Sequence, residues 1–181
     1  MQVIDTSIDD IKVIEPKVFG DHRGFFMETF RDDWFREQVS DVTFVQDNHS
    51  ASKQGTLRGL HYQLKQPQGK LVRVVAGSVI DVAVDMRKSS PTFGKHVAVE
   101  LSTENKRQMW VPGGFAHGFY VTSEYAEFVY RCTDYYAPGD EYCVLYSDPE
   151  LGIDWQLLND APLVSDKDKQ GNLFKDATYY E

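Results

Sequence analysis

The sequence predicts an all-β fold, a sandwich or barrel with a few short peripheral helices, on three observations. Short runs rich in Val, Ile, Phe and Tyr recur between turns containing Gly, Pro or Asn, the pattern of many short strands. Only Asp32-Asp-Trp-Phe-Arg-Glu-Gln-Val39 stands out as a helix, opening on acidic residues that favour a helix N-terminus. No stretch approaches the roughly 20 apolar residues that a membrane-spanning helix needs.

Taken in order, Met1–Asp10 is acidic and lacks a long apolar run, so it does not read as a signal peptide. Ile11–Phe19 alternates weakly and reads as one or two strands, with Pro16 marking an edge or a break. Gly20-Asp-His-Arg-Gly24 is a turn and Phe25–Phe30 the next strand; after the helix, Thr43–Asn48 is a strand followed by a polar loop through Gly55. Leu71–Ala76 and Val79–Val84 flank Gly77-Ser78, a pair that suits a tight hairpin, with polar Arg73, Asp81 and Asp85 interrupting the apolar runs. His96–Leu101 puts Val97, Val99 and Leu101 on one face. Arg107–Pro112, Ala116–Val121, Ala126–Arg131 and Tyr142–Tyr146 continue the series, and the tail from Asp148 mixes loop with short helix.

The 181 residues fit one domain, 1–181, long enough to bury a sizeable core. A net charge of −9 argues against general nucleic-acid binding, which needs a basic face, but allows a local basic pocket for one small phosphorylated ligand. Cys132 and Cys143 lie in strand-like segments and allow a single pairing, so a reduced, cytoplasmic protein is expected.

The chemistry concentrates in Thr56–Val75, which sets Arg58, His61 and Lys70 beside a glycine-rich turn and an apolar strand. A second glycine-flanked histidine, His117, follows Pro112-Gly-Gly. A lone strand histidine is usually just satisfied by a hydrogen bond; two beside tight turns and cations point to a site. Glycine at such points lets the backbone bend sharply or approach a ligand closely.

The arrangement resembles the cupin pattern, whose metal-binding members carry His-x-His with a later Glu, then Pro-x-Gly…His. Here the first motif reads His61-Tyr-Gln63, and no acidic residue follows before Asp81. Neutral glutamine is a poor ligand for zinc or iron. The expectation is a cupin-like jelly-roll barrel without a metal, its histidine free to act as a base.

More closely, the chain resembles the dTDP-4-dehydrorhamnose 3,5-epimerase family. The matching stretches are Asp21–Glu28, Gln46–Ser50, Leu57–Gln63, Gln68–Arg73, Asp81–Arg87, Val111–Gly118, Glu124–Tyr130 and Leu163–Asp168, in the family order over nearly the whole chain. The resemblance implies epimerisation of dTDP-4-dehydro-6-deoxy-D-glucose at C3 and C5, both acidified by the C4 ketone. Such proton transfer needs no redox step and hence no cofactor; the chain has neither a dinucleotide-binding glycine turn nor a Walker-type loop.

By the family match, His61 is the base, a role suited to a group whose pKa lies near the working pH. The motif Ser165-Asp-Lys-Asp168 puts an orienting carboxylate at Asp168, with Asp166 a nearby competitor. Tyr130 matches the proton donor on the opposite face, and Lys70 the cation at the enolate oxygen. Arg23, Arg58, His117 and Lys167 match charged or polar ligand contacts, and Glu28, Gln46, Asn48 and Glu141 further polar ones; arginine's planar fork suits phosphate oxygens. Phe26 and the Tyr135-Tyr136 pair are candidates to stack on thymine. The resemblance also implies a homodimer with exchanged N-terminal strands. A single-centre epimerase, a metal-dependent cupin enzyme and a non-enzymatic sugar-nucleotide-binding cupin are the alternatives.

Overall fold

The structure, a computed structural model, describes all 181 residues. Thirteen strands follow one another as β1 (Gln2–Asp5), β2 (Lys12–Glu15), β3 (Val18–Asp21), β4 (Gly24–Met27), β5 (Gln46–Lys53), β6 (Leu57–Gln63), β7 (Lys70–Ala76), β8 (Ser78–Asp85), β9 (His96–Ser102), β10 (Gln108–Val111), β11 (Phe115–Val121), β12 (Tyr125–Cys132) and β13 (Glu141–Cys143). Two short α-helices join them, α1 (Asp32–Gln38) and α2 (Asp166–Lys169). One sheet has the order β1-β2-β10-β7-β12-β5, the other β13-β6-β11-β8-β9, and β3 and β4 form a separate two-stranded hairpin. The expected cupin-like jelly roll is therefore present, as two sheets facing each other.

Strand periodicity sorts the residues between three layers. Val72, Val74, Met109 and Phe128 from the six-stranded sheet meet Val79, Ala83, Leu101, Phe115 and Phe119 from the other in the central core. Phe119 and Phe128 stack there with centroids 4.2 Å apart. Behind the five-stranded sheet, Leu60, Tyr62, Ile80, Val82 and Tyr120 are covered by Val144, Leu151, Trp155 and Phe174 of the C-terminal tail. Behind the six-stranded sheet, Phe35 of α1 covers Leu71 and Trp110.

Several expectations need correction. Val79–Val84 does not form a hairpin with Leu71–Ala76: β7 bonds to β10 and β12, whereas β8 bonds to β11 and β9. Only Gly77 separates β7 from β8, too short a link for a two-residue hairpin loop. Gly77 (φ +75°) instead turns the chain from one sheet to the other, where a Cβ would sit 2.0 Å from the Tyr125 carbonyl oxygen. The polar loop expected up to Gly55 is largely strand β5, an edge strand paired with β12 along its length. Its inward residues, Gln46, Asn48, Ser50 and Ser52, are themselves polar, so alternation carries no hydrophobic signal. The strand expected over Phe25–Phe30 ends at Met27, that over Tyr142–Tyr146 ends at Cys143, and β1 lies in the acidic N-terminus where no strand was read.

Candidate active site

At one end of the sandwich the inward-facing row changes from apolar to polar. The same alternation that buries Val72 and Phe128 points Lys70 and Tyr130 inward from the six-stranded sheet. From the facing sheet come His61 on β6, His117 on β11 and Asp81 on β8. His61, Lys70, His117 and Tyr130 line one cavity of about 660 Å³, together with Arg58, Ser50, Lys167 and Asp168. That is an ordinary size for a small-molecule site.

His61 and His117 stand directly opposite each other in the β6–β11 pairing. The strands approach closely because both carry glycine: a Cβ on Gly59 would lie 2.5 Å from the Gly118 Cα. His61 Nε2 lies 2.6 Å from Asp168 Oδ1, and Asp168 Oδ2 accepts the Gly59 N–H at 3.1 Å. Ser165 caps α2 by accepting the Asp168 N–H on its hydroxyl. Burial acts to raise the Asp168 carboxyl, but His61 and the Gly59 N–H outweigh it and hold the group below its usual value. An ionised carboxylate only accepts, so Nε2 carries a proton, and in the neutral ring the lone pair is on Nδ1. Asp166 points to solvent beside Lys169, 3.3 Å away, which leaves Asp168 as the partner of His61.

A second imidazole–carboxylate pair lies beside the first. His117 Nε2 is 2.9 and 3.1 Å from the two oxygens of Asp81, a residue with no solvent exposure. Burial pushes the Asp81 carboxyl up, with His117 and Lys70 opposing. Burial pushes the Lys70 ammonium down, against the pull of Cys132, Asp81 and Glu141. It also raises the Tyr130 phenol, which is therefore neutral at pH 7 and has an O–H to donate.

Around the mouth, Arg58 Nε donates to Ser52 Oγ at 3.1 Å. Glu141 is paired with Lys167 and accepts the Tyr136 O–H at 2.8 Å. Gln46 Oε1 accepts the Tyr136 N–H at 3.0 Å and its amide donates to Asn48 at 3.1 Å. Gln63, which stands where metal-binding cupins have a ligand, is committed to backbone: its amide nitrogen donates to Gln66 and Tyr135, and its oxygen accepts the Ala137 N–H.

Of the residues singled out by sequence, Gln46, Asn48, Tyr135, Tyr136, Glu141 and Asp166 are not part of this cavity's lining, and neither are Arg23, Phe26 and Glu28. Arg23 is exposed at the β3–β4 turn and paired with Asp21, Phe26 is 70% exposed on β4, and Glu28 is paired with Arg31. Conversely, Ser50 in the cavity wall, and Asp81 and Cys143 behind it beside His117 and His61, are assigned no role by the sequence. Asp81 read only as an interruption of a strand, and Cys143 only as a thiol. Cys143 pairs with His61 across β13–β6, and burial pushes its thiol up to about 12. Ser50 Oγ is buried at the cavity wall without a hydrogen-bond partner.

Comparison with known proteins decides the family. The model of the dTDP-4-dehydrorhamnose 3,5-epimerase family matches residues 5–176. The chain belongs to that family. Among dTDP-4-dehydrorhamnose 3,5-epimerases, one from Pseudomonas aeruginosa is 58% identical over 178 residues, 98% of each chain. A crystal structure of the 3,5-epimerase from Legionella pneumophila, in complex with dTDP-4-keto-L-rhamnose, is 52% identical with a TM-score of 0.95, covering 99% of this chain and 98% of that one. A 3′-monoepimerase from Streptomyces bikiniensis, in complex with dTDP-quinovose, is 34% identical with a TM-score of 0.86, covering 94% of this chain and 87% of that one. The chain's structural neighbours thus include an enzyme named for a single centre.

Proposed function

We propose that this epimerase inverts C3 and C5 of dTDP-4-dehydro-6-deoxy-D-glucose, giving dTDP-4-dehydro-L-rhamnose through enolates. The observation that carries the mechanism is that His61 and Tyr130 reach one cavity from facing sheets. Nδ1 of His61 takes the proton from carbon, and the C–H electron pair moves into the C4 carbonyl. Lys70 stabilises the resulting oxyanion, an interaction worth several kcal/mol when preorganised. At C5, Tyr130 then delivers its O–H proton to the opposite face and the centre is inverted; at C3 the enolate takes its proton on the opposite face from solvent. Solvent restores the proton to the phenol and removes it from His61. Asp168 holds the His61 tautomer throughout.

Arg58, His117 and Lys167 are read as contacts to the nucleotide sugar, with Gln46, Asn48, Tyr136 and Glu141 around the mouth. No cofactor or metal enters the reaction as written. Arg23, Phe26 and Glu28 are assigned to the neighbouring subunit's cavity in a homodimer with exchanged N-terminal strands. The exposure of Phe19, Phe25 and Phe26 on one hairpin supports this, because an isolated monomer leaves that apolar surface to water. Residues 1–181 are read as one domain. The cysteines, free in the fold, support a reducing cytoplasmic setting, and no helix is long and apolar enough to cross a membrane.

The deciding experiment is proton NMR of dTDP-4-dehydro-6-deoxyglucose in D2O with the enzyme. Deuterium is expected at both C3 and C5, in the presence of chelator as in its absence. Exchange at C3 alone would establish a monoepimerase, and no exchange a binding protein. Analytical ultracentrifugation tests the dimer: a monomer at micromolar concentration refutes strand exchange.

A further inference from the structure

His61, Cys143 and Asp168 form a donor set that proton transfer leaves partly unused. Cys143 is paired with His61 in register, and a His61 ring nitrogen, the Cys143 sulfur and an Asp168 oxygen lie within 4.8 Å of one another. Bonds of about 2.0–2.3 Å to a tetrahedral zinc set its donors about 3.3–3.8 Å apart, so shifts of about 1 Å bring all three onto one ion. Imidazole, thiolate and carboxylate together select zinc and similar soft divalent cations over magnesium or calcium. The donors are held by two paired strands and by α2, whose Asp168 is also anchored to Gly59. His61 and Asp168 line the cavity, so a fourth coordination position is available from that side.

We propose that this triad binds zinc or another thiophilic divalent cation, and that the bound ion switches the enzyme off. This site differs from the one metal-binding cupins use, because Gln63 is tied to backbone. As the metal–sulfur bond forms, the Cys143 thiol proton passes to solvent; no electrons are transferred. His61 Nε2 releases its proton to solvent as it binds the ion, and Nδ1 takes one up, so the neutral ring carries a single N–H on Nδ1. The His61–Asp168 hydrogen bond gives way to two metal bonds, and the base no longer has its orienting partner.

The site itself is independent of the substrate; only the inhibition rests on the reading of His61 as the base. Apo enzyme is titrated with cobalt(II), then dialysed against zinc sulfate with metal analysis. One ion per chain and a near-ultraviolet thiolate-to-cobalt absorption band are expected, and Cys143→Ser should lose the band and bind zinc at least about tenfold more weakly. Without metal, Cys143→Ser should exchange deuterium like the parent, but zinc should no longer stop it. Equal zinc affinity in Cys143→Ser, or no band in the parent, overturns the site. Zinc bound with exchange undiminished overturns the inhibition. A parent without any exchange refutes the epimerase reading instead, and leaves the cobalt band as the test of the site.

Discussion

Replacing Asp168 with asparagine changes almost no volume yet reverses the hydrogen bonding around His61. The backbone N–H of Gly59 must have an acceptor, and Asp168 Oδ2 supplies it at 3.1 Å. In Asp168→Asn the amide oxygen takes that place, so the NH2 group faces His61 where Oδ1 now lies, 2.6 Å away. Nε2 must then accept, the ring proton moves to Nδ1, and the lone pair no longer faces substrate. Asp-to-Asn changes at carboxylate-oriented histidines cost on the order of 10⁴ in turnover. A loss of about 10³ to 10⁴, or about 4 to 5.5 kcal/mol of barrier, is expected here. The charge-assisted bond to His61 is also lost, costing about 1–3 kcal/mol of stability. The assay is deuterium uptake from solvent by NMR, beside a thermal melt of the same protein. Asp166→Asn is the control and should behave as the parent, because Asp166 faces solvent. An Asp168→Asn enzyme within tenfold of the parent would refute the tautomer argument.

Tyr130→Phe keeps the ring beside Phe128, 5.9 Å between centroids, and removes only the hydroxyl. It should slow C5 inversion by about 10² or more while exchange at C3 persists; equal loss at both centres would count against Tyr130 as the C5 donor. Gly59→Ala places a Cβ 2.5 Å from Gly118 Cα at a φ of +121°, so it should cost about 3 kcal/mol or more, read as a lowered Tm. Asp85 is fully buried and bonded to Arg87, Ser90 and Thr92; burial works to raise its carboxyl, but those bonds hold it down at about 2. A depressed carboxylate stabilises the fold above its unfolded pKa near 4 and loses that contribution as pH falls toward 2. The shift corresponds to about 2 kcal/mol, so the stability gap between the parent and Asp85→Asn should narrow by that amount from pH 5 to pH 2 in urea titrations. A gap independent of pH would show that Asp85 is not depressed.

The sandwich was legible because strands such as β9 and β11 carry Val, Leu and Phe between clear turn signals. The partition into two sheets was not. Both faces of β8 are buried, Val79 and Ala83 against the facing sheet and Ile80 and Val82 under the tail, so its sequence does not say which neighbour it bonds. Within the site, His61 and His117 announced themselves through flanking glycines, which the backbone approach of β6 and β11 explains. Asp168 was reached only through a family motif, since nothing local distinguishes it from Asp166. Asp81 gave no signal beyond a charge in an apolar run. Its importance depends on the register that sets β8 beside β11, a property of pairing rather than composition.

The partner of His61 lies 107 residues further along the chain, on a tail that folds back over the outside of the sandwich. Leu163 exchanges backbone hydrogen bonds with Gly55 and Leu57, at the start of the strand that carries His61. The tail therefore works as a latch that holds Asp168 against His61. A jelly roll whose strands have all paired, but whose tail has not yet docked, holds a histidine free to choose either tautomer. On the proposed mechanism competence needs the chain closed on itself, and a single cut around the exposed Leu157 and Leu158 is expected to lower activity before the sheets come apart.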